Sequence, residues 1–122
     1  MEVKELFERG YDKQCAEKYA EAIEDYNKVL ELDKDFERAY VQRACCKYQL
    51  QEYESALEDF KIAMVLNPND PLTFLNAGQT AYKLNSENTD TTYFDRAIEL
   101  DSNMHEAYFM RGLTYSYADE KE

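Results

Sequence analysis

The side chains most able to do chemistry in this sequence are one histidine, three cysteines and many carboxylates. His105 is the only histidine, and no serine or cysteine is placed to use it as a base. Zinc needs about four ligands at a recognisable spacing, and the histidine and cysteines lack that spacing. The cysteines are Cys15, Cys45 and Cys46. We therefore predict that the chain is not an enzyme and holds no metal and no cofactor.

Two other kinds of site are also excluded by residue type. Only three glycines occur, and no glycine-rich loop is present that could surround a phosphate. The stretch Asn88 to Glu99 resembles a calcium loop in having glutamate at its last position. Its sixth position is Tyr93, where a calcium loop requires glycine, so calcium binding is not expected. The remaining carboxylates recur at helical surface spacing.

The segments that position these side chains repeat along the chain. Lys18 to Leu32 returns 34 residues later as Glu52 to Leu66, and part of it returns again as Tyr93 to Leu100. Within the first two copies Tyr19 matches Tyr53, and Ala22 matches Ala56. A fixed period of this length is typical of proteins built from stacked structural repeats.

Apolar residues recur at steps of three and four throughout, which predicts helices joined by short turns. The expected helices are Val3 to Glu17, Tyr19 to Leu32, Glu37 to Leu50, Tyr53 to Leu66, one from Pro71, about Thr91 to Leu100, and His105 to about Tyr117. Pro71 is expected in the first turn of its helix. The polar stretch Asn85 to Thr92 predicts a loop near 85–88, with Thr89 or Asp90 as the next N-cap.

Composition limits the class of partner and the compartment. The formal net charge of -12 disfavours nucleic acid and anionic membranes, since both would be repelled. A hydrophobic content of 44% is enough for a core, so a folded domain is expected. No apolar run is long enough to span a membrane. An odd number of cysteines without a framework spacing favours reduced thiols and a cytoplasmic location.

These positions resemble the pattern of tetratricopeptide repeat (TPR) proteins, over about three and a half units and nearly the whole chain. A small residue recurs where the first helices of neighbouring units cross closely, as Gly10, Ala44, Gly78 and Gly112. A later aromatic recurs as Tyr26, Phe60 and Phe94. The resemblance implies an all-α fold, a right-handed α-α superhelix of antiparallel helix pairs. It also implies one domain over 1–122, with repeats at about 3–36, 37–70 and 71–104 and a lone terminal helix at about 105–118.

The sequence departs from the family pattern at several positions. The usual leucine before the small residue is replaced by Arg9, Arg43, Ala77 and Arg111, where a long arginine stem can still cover apolar surface. Asp90 stands where Ala22 and Ala56 stood in the first two units, so the third repeat is degenerate and its helix pairing is expected to be looser.

In this family the resemblance assigns the concave face to the first helix of each pair, the A helix. That face is rich in aromatic and amide side chains, which suit an extended or helical peptide. We therefore predict a protein-protein interaction module, co-chaperone-like or a scaffold, with a protein or peptide partner. The predicted peptide-binding residues are Phe7, Tyr11, Gln42, Cys45, Tyr48, Gln49, Asn76, Gln79, Tyr82, Phe109 and Met110. An open alternative is that these aromatics, Tyr48 and Tyr82 in particular, only pack the A helices together.

Relatives that act as chaperone cofactors hold a C-terminal EEVD tail with a clamp of lysine, asparagine and arginine side chains. The matching positions here are Phe7, Tyr11, Gln42, Leu72 and Asn76. Shifting the comparison by one unit gives Val41, Cys45, Asn76, Glu106 and Met110, which does not restore the clamp. Binding of such tails is therefore not expected.

Two alternatives to groove binding stay open. The last helix carries Leu113, Tyr115 and Tyr117 without a following partner helix, so the chain could assemble into a homo-oligomer through this end. Secretion chaperones that bind translocators resemble short acidic arrays of the same kind, and they are the second alternative.

Overall fold

The computed structural model describes the backbone of residues 1–85 and 91–121 and the side chains of 1–85 and 91–114. Within those ranges the chain forms seven α-helices and no β-strand. The helices are α1 (Val3–Cys15), α2 (Tyr19–Leu32), α3 (Glu37–Gln49), α4 (Tyr53–Leu66), α5 (Pro71–Leu84), α6 (Thr92–Leu100) and α7 (His105–Lys121). The predicted all-α solenoid is confirmed.

Each helix packs against its neighbours along the chain, as expected for a stack of helical hairpins. The A helices also contact one another in the order α1, α3, α5, α7, whereas α2, α4 and α6 make no direct contact with each other. A stack curves toward the side on which its members touch. The A helices therefore form the inner face, and the second helices of the pairs, α2, α4 and α6, which we call the B helices, form the outer face.

The close helix crossings depend on small residues that lie under aromatic rings. A Cβ atom added to Gly10 would lie 2.9 Å from the Tyr26 ring, and one added to Gly78 would lie 2.5 Å from the Phe94 ring. Those contacts are shorter than van der Waals packing allows, so no larger side chain fits without movement. In the second hairpin Ala44 and Phe60 lie in one buried cluster.

The helix ends agree with the prediction to within a few residues. The predicted bounds of α2 and α4 are confirmed, while α1 ends at Cys15 rather than Glu17. Asp70 caps α5 by accepting a hydrogen bond from the Leu72 amide, with Pro71 in the first turn. The last helix runs on to 121, past the predicted end at 117.

The third hairpin differs at the turn, as the polar stretch suggested. The N-cap of α6 is Thr91, so the predicted caps at 89 and 90 were wrong. Residues 86–90, which include both predicted caps and Asp90, lie outside the described residues. The α6 helix has 9 residues, against 14 in α2 and in α4. Hairpin three is therefore covered by a shorter B helix.

Two carboxylates are buried between paired helices, Asp25 in hairpin one (α1 and α2) and Asp59 in hairpin two (α3 and α4). The sequence had not indicated this burial. Asp25 is 1% exposed and receives two hydrogen bonds from Arg9, at 3.0 and 2.7 Å. Asp59 is 3% exposed and receives two from Arg43, at 2.8 and 2.7 Å. The arginines therefore do more than cover apolar surface, because their guanidinium groups neutralise buried charge.

Candidate functional site

Three adjacent concavities follow the inner face across α1, α3 and α5, and we call them together the inner groove. The first has a volume of about 410 Å³ and is lined by Lys4, Phe7, Glu8, Tyr11, Asp12, Phe36 and Arg38. The second has about 240 Å³ and is lined by Tyr11, Gln14, Cys15, Tyr19, Gln42, Cys45 and Gln49. The third has about 140 Å³ and is lined by Cys45, Tyr48, Gln49, Phe60, Asn76, Gln79 and Thr80.

Shared lining residues make the three concavities one continuous feature. Tyr11 borders both the first and the second, while Cys45 and Gln49 border both the second and the third. The groove therefore runs across three successive A helices without interruption.

Aromatic packing shapes the end of the groove near α1. Phe7 is 5% exposed, and its ring lies 5.1 Å from the Phe36 ring and 5.6 Å from the Tyr26 ring. The guanidinium of Arg38 lies 4.9 Å from the centre of the Phe7 ring. Phe7 thus forms the groove floor, whereas Tyr11, which is 45% exposed, presents accessible aromatic surface.

A chain of hydrogen bonds fixes the amides in the middle of the groove. The Tyr26 hydroxyl donates to Gln14 Oε1 at 2.6 Å, and Gln14 Nε2 donates to Gln42 Oε1 at 3.0 Å. This arrangement turns the NH₂ group of Gln42 into the next donor of the chain. Burial raises the pKa of Tyr26, so its hydroxyl keeps its proton and remains the donor to Gln14.

The thiols near the groove are unsuited to nucleophilic chemistry. Burial raises the pKa of Cys45 to about 11 and that of Cys46 to about 12. Both thiols are therefore protonated at neutral pH, whereas a reactive cysteine requires the thiolate. All three cysteines are free, and Cys45 offers the groove a small apolar contact.

Eight of the eleven predicted binding residues line the inner groove. They are Phe7, Tyr11, Gln42, Cys45, Tyr48, Gln49, Asn76 and Gln79. Tyr82, Phe109 and Met110 do not line it. Phe109 is 66% exposed on α7, and Met110 packs against the cluster of Leu75 and Phe94. No ligand contact tests these assignments, and the binding role of all eleven stays a prediction.

The Tyr48 ring also has a packing role. It meets the Tyr53 ring edge-on at 5.2 Å, which joins the groove wall to the start of α4. Because α4 is the second helix of its pair, this contact does not test the alternative that Tyr48 only packs the A helices together, and that alternative stays open.

Sequence reasoning missed several lining residues, for identifiable reasons. Phe36 lies in the connector between α2 and α3, outside the predicted helices, and aromatic residues do not recur at its repeat position. Thr80 is buried, with its hydroxyl donating to the Asn76 carbonyl at 2.7 Å. The repeat could have indicated Thr80, because the small side chains of Cys46 and Thr114 stand 34 residues before and after it. The structure buries all three.

The described residues contain neither a metal-binding cluster nor a membrane span. No group of three or more histidine, cysteine, aspartate or glutamate side chains is placed there to hold a metal ion. Within the same ranges, no helix combines the length and the apolar character that a membrane span requires. The cytoplasmic location stays a prediction.

A family model described as "Tetratricopeptide repeat" matches residues 16–36 and 37–70. These ranges cover the second helix of hairpin one and all of hairpin two, whose packing is described above. The chain is a tetratricopeptide repeat protein. The matched ranges agree with the predicted boundaries at 36 and 70, while the remaining domain boundaries stay predictions.

Curated relatives share this TPR region over a small part of their own length. TPR repeat-containing protein MJ1428 of Methanocaldococcus jannaschii is 30% identical over 106 residues, which is 85% of this chain and 18% of that protein. Protein SGT1 homolog of Bos taurus is 38% identical over 61 residues, 50% of this chain and 18% of that protein. The chain thus spans less than a fifth of either relative.

Solved structures share the fold over nearly the whole chain. A structure described as "First TPR of Spaghetti (RPAP3) bound to HSP90 peptide SRMEEVD" has a TM-score of 0.87 and 25% identity, covering 95% of this chain and 93% of that one. The Yersinia enterocolitica type III secretion chaperone SycD, solved with a peptide of the translocator YopD, has a TM-score of 0.85. At 15% identity, over 98% of this chain and 95% of that one, the second likeness shows the fold alone.

Proposed function

We propose that the inner groove binds an extended or helical segment of a partner protein, so that the chain acts as an interaction module rather than an enzyme. The observation that carries this proposal is the continuity of the three concavities through Tyr11, Cys45 and Gln49. A peptide needs a long, open, unbranched surface, and the A helices supply one.

Amides along the groove support main-chain recognition. Among the described residues, the side chains of Gln49 and Asn76 have no hydrogen-bond partner, and the NH₂ group of Gln42 has none either. A primary amide offers both a donor and an acceptor, as the backbone of an extended peptide does. These three side chains can therefore pair with peptide N–H and C=O groups. The one protein hydrogen bond at stake is that from Gln14 to Gln42 Oε1, which would break only if this oxygen also accepted from the peptide.

Accessible aromatic surface supports side-chain recognition. Tyr11 is 45% exposed at the junction of the first two concavities. A tyrosine gives a large contact area at a small loss of rotamer freedom, which is why the residue type is common in binding sites.

The likeness to a TPR domain that binds an HSP90 peptide supports peptide binding in general. We propose that this groove takes a segment of different chemistry from the SRMEEVD peptide bound in that neighbour. The positions that match the two-carboxylate clamp hold Phe7, Tyr11, Gln42, Leu72 and Asn76, which include no cation. The five clamp positions themselves therefore offer a doubly charged carboxylate end no cation, and the nearby cations Lys4 and Arg38 lie at other positions of the first concavity, beside the carboxylates of Glu8 and Asp12.

Peptide display tests this proposal directly. Random peptides displayed on phage are selected against the chain, and the affinity of the best peptide is measured by fluorescence polarisation. We expect the double variant Gln49→Ala and Asn76→Ala to bind that peptide at least about tenfold more weakly, as for the loss of two hydrogen bonds. The SRMEEVD peptide, measured in the same assay, is expected not to bind.

A matched control separates the groove from the outer face. Ser55→Ala with Glu58→Gln changes a concavity bordered by α4 and is expected to leave affinity unchanged. Tyr48 is left intact because its contact with Tyr53 makes it a poor test of binding alone. If the selected peptides bind the groove variant and the wild type equally, with both variants fully helical, the proposal is wrong.

A further inference from the structure

The outer side of α4 carries apolar side chains at two positions that are charged in the other B helices. Ile62 is 41% exposed, and Val65, at 82%, is the most exposed large apolar side chain among the described residues. The matching pairs are Lys28 with Glu31 in α2 and Arg96 with Glu99 in α6. The middle hairpin therefore presents apolar surface to solvent where its neighbours present charges.

Packing within the chain does not account for Ile62 and Val65. Both lie outside the buried clusters that the described residues form. In α6 the same two positions hold a surface ion pair, with Arg96 Nη1 at 3.1 Å from Glu99 Oε2. Such a pair contributes little to stability but keeps a helix surface solvated. Neighbouring exposed apolar side chains are instead typical of a surface that contacts another molecule.

The exposed side of α4 changes from acidic to apolar along its length. Glu54, Glu58, Ile62 and Val65 follow one another at steps of four, four and three residues, so they lie on one side of the helix. Leu66 adjoins them and is 37% exposed. We call these five residues the outer α4 face. Lys61 lies beside them and is the one basic residue of this helix.

The acidic half of the outer α4 face borders a concavity of about 530 Å³. Its described lining residues include three carboxylates and no cation, and they are Gln51, Glu52, Tyr53, Glu54, Ser55, Glu58 and Leu84. Residues 86–90, which are not described, contain no lysine or arginine. A cleft lined by charges of one sign concentrates its field and attracts the opposite charge.

We propose that the outer α4 face binds an amphipathic helix of a partner protein, with basic side chains along one half of its contact face and apolar side chains along the other. The basic side chains would pair with Glu54 and Glu58, and the apolar ones would cover Ile62 and Val65. From Glu54 to Val65 the helix rises about 16 Å, at about 1.5 Å per residue. A partner helix of about three turns spans that length.

A second copy of this chain fits the outer α4 face less well. Two such faces packed in parallel would bring the carboxylates of Glu54 and Glu58 against each other. Packed antiparallel, they would lay those carboxylates on Ile62 and Val65, where the charges lose hydration without gaining a partner. The net charge of -12 on each copy adds repulsion in either arrangement.

The probe for this proposal is a labelled, alanine-based helical peptide of about 16 residues. It carries two lysines in one half of one face and two leucines in the other half. We expect saturable binding to the whole chain by fluorescence polarisation, weakening as sodium chloride is added. A matched peptide with glutamates in place of the lysines should bind at least about tenfold more weakly, because attraction becomes repulsion.

The apolar half is tested by a variant that keeps the net charge. Ile62→Lys with Val65→Glu gives α4 the charged pair that α2 carries at the same repeat positions. The variant should bind the lysine peptide at least about tenfold more weakly, because two apolar side chains are no longer buried on binding. Both positions are exposed, so the fold should be kept, and circular dichroism checks this.

The acidic half is tested by a pair of matched variants. Glu54→Gln with Glu58→Gln should weaken binding at least about fivefold and reduce its dependence on salt. Glu21→Gln with Glu24→Gln removes the same charge from exposed positions of α2 and should leave the affinity within about twofold of wild type.

Several outcomes would overturn the proposal. The lysine peptide fails to bind, or it binds Ile62→Lys with Val65→Glu as tightly as wild type. Equal losses in the α2 and α4 glutamine variants would show attraction to the acidic chain in general. Loss of binding in the groove variant Gln49→Ala with Asn76→Ala would place the peptide in the inner groove instead. If sedimentation shows that the chain pairs with itself through Ile62 and Val65, the occupant is a second copy.

Discussion

Hairpin two, formed by α3 and α4, and hairpin three, formed by α5 and α6, join their helices through opposite chemistry at the same repeat positions. In hairpin two, Asp59 is buried between Arg43 and Lys47, at 2.7 and 2.9 Å. The matching set in hairpin three is Ala77, Ala81 and Tyr93. Ala77 is fully buried, and the cluster that contains it also includes the partly buried Tyr93.

This difference shows that the fold does not require the ion pairs as such. Taking charges out of water costs free energy, which a well-formed pair approximately recovers, so an apolar set of similar size can replace it. Removing only some of the charged partners destabilises the protein, because the remaining charge stays buried without a partner. The three members should therefore be replaceable together but not separately.

The largest expected effect comes from removing both cations of hairpin two. Arg43→Ala with Lys47→Ala leaves Asp59 buried and unpaired, and should lower the free energy of unfolding by about 4 kcal/mol. Adding Asp59→Tyr recreates the hairpin-three set and should recover most of that loss. Urea denaturation measures both. A triple variant as unstable as the double variant would mean that hairpin two depends on its charges.

The second effect contrasts two glycines at one repeat position. Gly78→Ala forces a Cβ to within 2.5 Å of the Phe94 ring and should lower the free energy of unfolding by about 2 kcal/mol, as overpacking does. Gly112→Ala meets open space and should raise it by up to about 1 kcal/mol, since alanine favours a helix. Thermal denaturation compares the two variants. Equal effects would contradict the difference in cover between α5 and α7.

The third effect lies in the turns. Glu17 and Gln51 occupy the same repeat position with φ of 61° and 66°, whereas Asn85, which follows in the series, has φ of -150°. Gln51→Gly should therefore raise the free energy of unfolding by about 0.5 kcal/mol, because glycine adopts positive φ without strain. Asn85→Gly should lower it by at least about the same amount, because glycine adds conformational entropy to the unfolded chain and gains nothing at a negative φ. The opposite signs, read from urea midpoints, are the test.

The smallest effect near neutral pH concerns hairpin one, formed by α1 and α2. It is the change in the free energy of unfolding as Asp25 takes up a proton in acid. The hydrogen bond from Arg9 is the main cause that holds the pKa of Asp25 below its ordinary value, and the bond from Lys13 acts in the same direction, against burial. A lowered pKa in the folded state adds stability above the ordinary pKa of about 4, and that stability is lost as the pH falls through the lowered value. Hairpin three has Tyr93 at this position and gains no such term.

The comparison of wild type with Asp25→Asn isolates this acid dependence. The difference in their free energy of unfolding should be constant between about pH 7 and pH 5. It should shrink below about pH 4, where Asp25 takes up its proton first in the unfolded state and, at still lower pH, in the folded state. Urea denaturation over that range measures it. A difference that stays constant down to about pH 2 would show that Asp25 is not the titrating group.

Much of the fold was predictable because it depends on sequence patterns that are local and that repeat along the chain. The 34-residue period placed the B helices α2 and α4 at their observed bounds, since the spacing of Tyr19, Ala22 and Tyr26 is a one-dimensional pattern. The cap at Asp70 and the proline after it were also local. Where the repeat weakens, at the start of α6, the N-cap was misplaced by one or two residues, because several polar residues there compete for the same role.

The candidate groove was predictable only in part. The A-helix positions placed Gln42, Gln49 and Asn76 on one face, and the structure brings them to adjoining concavities. Phe36 was missed because a connector folds back onto Phe7, a contact between two elements that no repeat pattern contains.

The sequence by itself determined the type of protein, because a repeated helical hairpin needs only its own periodic pattern and its nearest neighbour to form. Tertiary structure alone decided which charges are buried and which contacts remain open. Asp25 and Asp59 look like the surface carboxylates around them, and only the approach of the A helix makes them buried partners of arginine. Arg111 has the same residue type and the same repeat position as Arg43, yet within residues 1–85 and 91–114 it bonds Asp95 alone, whereas Arg43 bonds both Asn27 and Asp59, because pairing depends on the helix that packs opposite.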